Sequence, residues 1–205
     1  MPAAAFKNTK PFTKDMDKTY FEEKTFEHAD FTAKALTEGD YENCSFTNCN
    51  FSAANLSRIV FSDCEFIECN LSMAKLNQTA FRDIKFKGCK LLGLHFEHCN
   101  EFIVGLSFEN CILNLSSFFS LKLKKTTFSN SSLTEVDFTE ADLSGAVFDN
   151  CDMANVIFEN TVLEKTDFRT AYNYSINPEL NRMKKAKFST AGIAGLLNKY
   201  DIEIE

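Results

Sequence analysis

The residues that could bind a metal or act in catalysis are few, and several of them lie near the middle of the chain. The protein has 205 residues, with only three histidines but eight cysteines. His95, His98 and Cys99 fall within five positions, and Cys89 lies close by. Imidazole and thiolate are the usual ligands of zinc, so these four side chains are the first candidates for a metal site. Whether they converge depends on the elements that carry them.

Those elements follow a five-residue period. A bulky apolar residue, here called a centre, stands at every fifth position, with one slip of two residues between Phe96 and Ile103. A period of five fits neither an α-helix nor a β-strand, and a fixed short period is typical of a solenoid. The centres run Phe21, Phe26, Phe31, Leu36, Tyr41, Phe46, Phe51, Leu56, Phe61, Phe66, Leu71, Leu76, Phe81, Phe86, Leu91, Phe96 and then Ile103, Phe108, Leu113, Phe118, Leu123, Phe128, Leu133, Phe138, Leu143, Phe148, Met153, Phe158, Leu163, Phe168.

A second pattern sets the number of units in each coil. The residue two positions before a centre is usually small, so each unit points one wide and one narrow side chain inward. Centres four units apart share a type, as at Phe108, Phe128, Phe148 and Phe168. Four units therefore close one coil, and the sequence predicts an all-β solenoid with four sides and about seven to eight coils.

The inward and outward positions of the repeat, here called the frame, decide which of the candidate ligands and nucleophiles can meet. All eight cysteines fall at the narrow inward position, where we expect free thiols that act as small apolar side chains. Cys89 and Cys99 then point inward while His95 and His98 point outward, so their ligand atoms diverge and we predict no zinc site. The third histidine, His28, is also outward and has no partner nucleophile. With no phosphate-binding loop either, we predict no catalytic, cofactor-binding or metal residues, and no enzyme activity.

The five-residue units resemble those of the pentapeptide-repeat proteins, whose consensus is A(D/N)LXX. Residues 141–145 read Ala-Asp-Leu-Ser-Gly and residues 29–33 read Ala-Asp-Phe-Thr-Ala. The resemblance covers residues 19–170. It implies a right-handed quadrilateral β-helix, with very short strands and a turn at every corner.

Charge is unevenly distributed. The chain has 29 acidic and 22 basic residues, a formal charge of −7. From Thr126 to Phe168 the only base is Lys165, and this segment forms the predicted acidic partner-binding face. Two interpretations fit: the acids keep the protein soluble, or an acidic rod imitates duplex DNA and occupies the basic groove of a DNA-binding protein. The acids of the segment are Glu135, Asp137, Glu140, Asp142, Asp149, Asp152, Glu159, Glu164 and Asp167.

The C-terminal segment, residues 171–205, predicts a last partial coil, a short α-helix and a terminal strand. Ser189 or Thr190 is suited to cap a helix that ends near Tyr200. The alternation from Asp201 to Glu205 is typical of a strand. Such a segment would cover the open end of the coil and offer an apolar surface to a second subunit. The predicted dimer interface is Ile193, Leu196, Leu197, Tyr200, Ile202 and Ile204.

This layout resembles the quinolone-resistance (Qnr) and MfpA type within the family. In those proteins a C-terminal helix and strand pair two rods, and the dimer acts on DNA gyrase as a DNA mimic. The resemblance implies a homodimer that binds a type II topoisomerase, DNA gyrase or topoisomerase IV, and modulates quinolone susceptibility, without direct nucleic-acid binding. The plasmid-encoded Qnr proteins have two protruding loops, whereas this chain has only the two-residue interruption near residues 97–102. A structural scaffold with another partner is the alternative.

The remaining predictions concern the N-terminus and the compartment. Residues 1–18 precede the repeats, and Phe6 and Phe12 would either plug the N-terminal opening or belong to a mobile tail. No segment is apolar enough for a membrane span and the first residues lack a secretory signal, so we expect a cytoplasmic protein.

Overall fold

The chain winds into a coil with four flat sides, and each turn of the coil contains four of the five-residue units. The computed structural model describes residues 19–100 and 105–203. The expected plug of Phe6 and Phe12 lies outside these residues. We name the sides in chain order by their centres: first (Phe21, Tyr41, Phe61, Phe81, Leu123, Leu143, Leu163), second (Phe26, Phe46, Phe66, Phe86, Phe108, Phe128, Phe148, Phe168), third (Phe31, Phe51, Leu71, Leu91, Leu113, Leu133, Met153) and fourth (Leu36, Leu56, Leu76, Phe96, Phe118, Phe138, Phe158).

The described strands are short and pair in parallel, one per turn on a given side. The first side carries a four-stranded sheet in the order β1-β3-β5-β7, and the second side a seven-stranded sheet in the order β11-β10-β9-β8-β6-β4-β2. The strands are β1 (Thr19–Glu22), β2 (Thr25–Glu27), β3 (Gly39–Glu42), β4 (Ser45–Thr47), β5 (Val60–Ser62), β6 (Glu65–Ile67), β7 (Ala80–Arg82), β8 (Lys85–Lys87), β9 (Ser107–Glu109), β10 (Thr127–Ser129) and β11 (Val147–Asp149).

Parallel register confirms the predicted β-solenoid. Phe26 pairs with Phe46 and Phe46 with Phe66, each the matching centre of the next turn. Single bridges from Val147 to Asp167 and from Asp167 to Lys187 carry the second side beyond its last strand. Because each turn bonds to the turn before it and the turn after it, unpaired strand backbone is confined to the two ends of the coil.

The interior is a stack of aromatic rings and narrow side chains. On the second side the ring of Phe128 lies 5.0 Å from that of Phe108 and 4.9 Å from that of Phe148, nearly parallel to both. It also meets Phe118 and Phe138 of the fourth side edge to face. Both arrangements are favourable for aromatic quadrupoles and add to the burial of apolar area. The columns predicted from the sequence are therefore buried as wide residues of one continuous core.

Most corners have a left-handed backbone at the residue two positions after a centre. Asn110, Asn130 and Asn150 adopt φ values of 53°, 48° and 50° at successive turns. Asparagine tolerates this region better than most residues, which explains its recurrence there. Asn150 Nδ2 donates to Asn130 Oδ1 at 2.8 Å, so these two amides are connected from one turn to the next.

The two-residue slip changes the register between Asn100 and Ser107. The Asn100 amide still bonds the Thr79 carbonyl of the preceding turn, with the same separation along the chain as in the regular coils. The Ser107 amide bonds the Ile84 carbonyl, and this separation is longer by the two extra residues. The slip is thus absorbed between these positions, and β8 pairs with β9 in the shifted register, with Lys85 opposite Ser107 and Phe86 opposite Phe108.

The predicted C-terminal α-helix is wrong. Residues Ala191–Leu196 and Asn198–Tyr200 form two 3-10 helices. Two glycines explain this, since they favour an α-helix poorly and allow close contact with Tyr174. A Cβ on Gly195 would lie 2.3 Å from the Tyr174 carbonyl oxygen, and the Gly195 carbonyl accepts a hydrogen bond from the Ile176 amide instead of continuing a helix.

The prediction of a terminal strand is also wrong for the residues that the structure describes. Residues 201–203 are not in a strand, because Asp201 turns the chain with a left-handed backbone, φ 50°. Ile204 and Glu205 lie outside the described residues. Within residues 19–100 and 105–203, the helices are too short to cross a membrane.

Candidate interaction surfaces

The nine acids of the predicted face are spread over all four sides. Asp149 and Asp167 lie on the second side, and Asp142 and Glu164 on the first. The other five lie on the adjoining third and fourth sides or at their corners: Glu135, Asp137, Glu140, Asp152 and Glu159. The acidic segment is therefore a band around the rod, and a partner approaching from one direction meets only part of it.

Three of the acids are neutralised by ion pairs. Lys124 Nζ lies 3.1 Å from Asp142, Arg182 bonds Glu164 at 2.9 Å, and Arg169 bonds Asp167 at 2.8 Å. The hydrogen bonds from Arg169 hold the pKa of Asp167 down to about 2, and Lys187 acts in the same direction. The bases that pair with these acids, Lys124, Arg169, Arg182 and Lys187, all lie outside residues 126–168, so the charge sum of the segment overstates its negative field.

Four of the acids also shape the backbone. Asp137 Oδ1 accepts the Thr139 amide at 2.8 Å, and Asp142, Asp152 and Asp167 accept amides two residues ahead in the same way. This short-range bond is an Asx turn. It gives a physical reason for the Asp or Asn of the repeat unit, and it means that these carboxylates are partly structural.

The acids with the fewest bonds to other groups are Glu135, Glu140 and Glu159. All three are exposed. Within the described part of the chain they have no ion pair and no side-chain hydrogen bond, and the same holds for ion pairs of Asp137 and Asp152. We call these five residues the acidic patch. It occupies the third and fourth sides over two successive turns.

The first side over the same turns is basic. Lys125, Lys165 and Lys185 share one corner column, and Lys122 and Lys184 flank it; all five are exposed. A charge sum along the chain does not reveal this surface, because its lysines come together only around the coil. The spacing of one full turn between Lys165 and Lys185 was the available signal.

An exposed apolar patch lies next to the acidic patch, one to three turns closer to the N-terminus. Met73, Leu92, Ile112, Leu115 and Phe119 are 37% to 60% exposed and stand on or beside the third and fourth sides. The Met73 amide bonds the Leu92 carbonyl, so these two lie in adjacent turns. Clustered exposed apolar residues mark protein interaction sites more often than single ones do. The sequence signal for this patch is the presence of apolar residues at outward positions of the repeat.

The cysteines are buried and free, as the frame predicts. Their thiols also have a bonding role, since Cys49, Cys64 and Cys69 each lie 3.3–3.4 Å from the carbonyl of a centre in the preceding turn. Burial raises the pKa of Cys64 to about 12 and that of Cys151 to about 11. These groups therefore stay protonated and can donate. Cys89 and Cys99 are buried while His95 and His98 are exposed, so the first zinc candidates are not brought together.

The predicted dimer residues differ in their exposure. Ile193, Tyr200 and Ile202 are exposed, whereas Leu197 is half-buried and Leu196 packs partly against the core. Ile204 lies outside the described residues. Beside this segment a cleft of about 510 Å³ separates the 3-10 turns from the last coil, lined by Thr170, Tyr172, Tyr174, Gly192, Gly195 and Asn198 among others.

Comparison with known proteins places the repeats in one family. The family model described as "Pentapeptide repeat region" matches residues 35–101, and the model described as "Pentapeptide repeats (8 copies)" matches residues 131–169. Together the two matches span about half of the chain. No curated protein matches the sequence.

Solved structures match over most of the length. QnrB1, a plasmid-mediated fluoroquinolone resistance protein, is 16% identical, with a TM-score of 0.56 over 90% of this chain and 100% of that chain. HetL, a pentapeptide-repeat protein involved in heterocyst differentiation regulation in the cyanobacterium Nostoc sp. strain PCC 7120, is also 16% identical, with a TM-score of 0.61 over 84% of this chain and 87% of that chain. At this identity the likeness extends to the fold alone.

Proposed function

We propose that this chain, which belongs to the pentapeptide-repeat family, is a non-enzymatic binding protein whose acidic patch occupies the DNA-binding groove of a type II topoisomerase. The observation that supports this is the acidic patch itself: five carboxylates without ion pairs, on two adjoining sides. Most lysines of these and the adjoining turns lie on the first side.

The charge density of the patch fits this role over a short length. Successive turns of a parallel β-coil are about 4.8 Å apart, so two turns cover about 10 Å. Duplex DNA presents about six charges over that distance. The acidic patch presents five carboxylates there, although they project to one half of the circumference. Its extent corresponds to about three base pairs, which suits a local contact within a groove rather than replacement of a long duplex.

The test is a gyrase supercoiling assay, with and without ciprofloxacin, at low and at raised salt. We expect the wild-type protein to alter supercoiling at low salt. The triple charge reversal E135K/E140K/E159K should abolish the effect without unfolding the protein, because these side chains make no bonds in the described structure. The matched control is E23K/E27K/D63K, which makes the same charge change on exposed acids of the first turns.

Two outcomes would contradict the proposal. One is an absence of binding, inhibition and drug protection by the wild type at low salt. The other is an equal loss of activity in both triple variants, which would mean that net charge rather than the acidic patch matters.

The apolar patch favours a scaffold as the second candidate function. Its exposed Leu115 and Phe119 adjoin the acidic patch, and an apolar centre with a charged rim is the usual anatomy of a protein interface. If L115D/F119D eliminates gyrase binding while E135K/E140K/E159K does not, the apolar patch is the docking surface and DNA mimicry is wrong.

We also propose that two copies pair through the C-terminal segment. Ile193, Tyr200 and Ile202 supply its exposed apolar surface. The substitutions I193D/I202D should convert a dimer to a monomer in light scattering, and they spare Leu196, which supports the core. A wild-type protein that is already monomeric, or a variant of unchanged dimeric mass, would rule out this interface.

A further inference from the structure

One corner of the fourth side differs from most of the others described on that side. At the same position in other turns Arg58, Gln78, Ser120 and Glu140 all have a left-handed backbone. His98 does not. Residues Phe96–His98 instead form a 3-10 helix, in which the His98 amide bonds the His95 carbonyl at 3.2 Å and the Cys99 amide bonds the Phe96 carbonyl at 3.0 Å.

This change of backbone brings two imidazoles together. A 3-10 helix has three residues per turn, so side chains at positions i and i+3 lie one above the other. The rings of His95 and His98 are stacked, with centroids 5.3 Å apart and planes 19° from parallel. Both residues are exposed. The sequence predicted that both imidazoles point outward, and the 3-10 helix additionally places them side by side.

A carboxylate completes the group. Glu97 Oε1 lies 2.8 Å from His95 Nδ1. One ligand atom from each of His95, Glu97 and His98 lies within 4.8 Å of the others. Glu97 Oε2 is buried and has no hydrogen-bond partner among the residues described. A buried carboxylate oxygen without a donor is costly, and a cation beside it would remove that cost.

We propose that His95, Glu97 and His98 bind a divalent transition-metal ion, with Zn²⁺ as the reference ion. Two imidazoles and one carboxylate are a ligand set that zinc accepts, and nickel and copper favour imidazole as well. Tetrahedral zinc holds its ligand atoms about 3.3 Å apart, so the widest separation in the group must shorten by at most roughly 1.5 Å. Two of them are exposed side chains that can rotate to do so.

The ion takes the place of the hydrogen bond between His95 Nδ1 and Glu97 Oε1. It also leaves at least one coordination position open to water or to a side chain of a bound partner, as in zinc sites with three protein ligands. The buried thiols take no part in this site, because Cys89 and Cys99 point into the core. The ligand set thus differs from the one that the sequence first suggested, in that Glu97 takes the place of the cysteines.

The test is isothermal titration of the full-length protein with Zn²⁺, repeated with Ni²⁺. We expect one equivalent of zinc to bind. H95A, H98A and E97Q should each weaken binding by at least about tenfold, since each removes one of three ligands. Two controls should bind like the wild type: H28A, which removes the remaining histidine elsewhere on the surface, and C99A, which removes the nearest thiol.

Thermal melting without metal shows whether each variant is folded, and only folded variants are compared. A rise in the melting temperature of the wild type with zinc, absent in H98A, is the second expected readout. The proposal is overturned if the folded wild type binds no stoichiometric zinc at about 100 μM, if H28A loses as much affinity as H98A, or if C99A abolishes binding.

Discussion

The second side of the coil and its third and fourth sides use the same five-residue unit but bond their side chains differently. On the second side, polar side chains connect successive turns: Lys85 bonds Glu65 at 3.0 Å, and Asn150 bonds Asn130. On the third and fourth sides most side-chain bonds stay within one unit, as from the Ser52 amide to Asn50 or from the Thr139 amide to Asp137.

The corners differ in the same way. The third and fourth sides close their corners with a backbone bond across three residues, for example from the Ala74 amide to the Leu71 carbonyl at 3.0 Å. On the second side, the corners come directly after the strands, and a narrow thiol there makes hydrogen bonds in place of that backbone bond. The Cys49 amide donates to Cys69 Sγ at 3.4 Å, and Cys69 Sγ lies 3.3 Å from the Phe46 carbonyl.

This difference indicates that the second side stabilises the coil, whereas the third and fourth sides present side chains to partners. The second side ties the turns together through its strands, ring stack and inter-turn bonds. The third and fourth sides satisfy their polar groups locally, which leaves outward positions available for other chemistry. The acidic patch, the apolar patch and the His95–Glu97–His98 group all lie on or beside those two sides.

The largest expected effect comes from breaking the ring stack of the second side. Phe128→Ala should lower the free energy of unfolding by about 3–5 kcal/mol, because it leaves a cavity among buried rings. Phe119→Ala, on the exposed apolar patch of the fourth side, should change it by less than about 0.5 kcal/mol. Urea denaturation followed by circular dichroism measures both. Equal losses would mean that the two sides do not differ in their contribution to stability.

A smaller effect is expected at the thiol corners. Cys69→Ala removes both the acceptor for the Cys49 amide and the donor near the Phe46 carbonyl, so it should destabilise the protein by about 1 kcal/mol. Cys69→Ser keeps a donor and an acceptor at this position, as Ser131 does naturally when it accepts the Cys111 amide at 3.0 Å. Unfolding curves should therefore place serine closer to the wild type than alanine. The reverse order would show that the thiol acts only as an apolar filler.

The smallest effect concerns the pH dependence contributed by Asp167 on the second side. Its folded-state pKa is lowered to about 2 by Arg169. A lowered pKa contributes stability that is present above the ordinary value near 4 and lost as the pH falls towards 2. Asp167→Asn should remove that part of the acid sensitivity, seen as a flatter dependence of melting temperature between about pH 4 and pH 2. Glu135→Gln, on the acidic patch, is the matched control, and an identical flattening there would contradict the assignment.

The sequence was sufficient for the coil because inward positions are selected by size. Only a wide residue such as Phe128 and a narrow one such as Cys69 fill the square interior, and a period of five repeats that demand at every unit. The sequence was not sufficient for the C-terminal helix, because the spacing of Ile193, Leu196 and Tyr200 does not reveal that Gly195 lies against Tyr174.

For the acidic face, the sequence identified the carboxylates and the tertiary structure decided which are available. Asp142 and Asp167 meet bases beyond the acidic segment, and the pairings of Asp142 with Lys124 and of Asp167 with Lys187 join side chains about one turn apart. The same holds for the ligand group: outward His95 and His98 followed from the period, but their convergence on Glu97 depends on the 3-10 backbone at the slip. Periodicity and side-chain volume therefore determined what is inside this protein. Contacts between turns and the local backbone at single corners decided what its surface can do, since neither repeats from unit to unit.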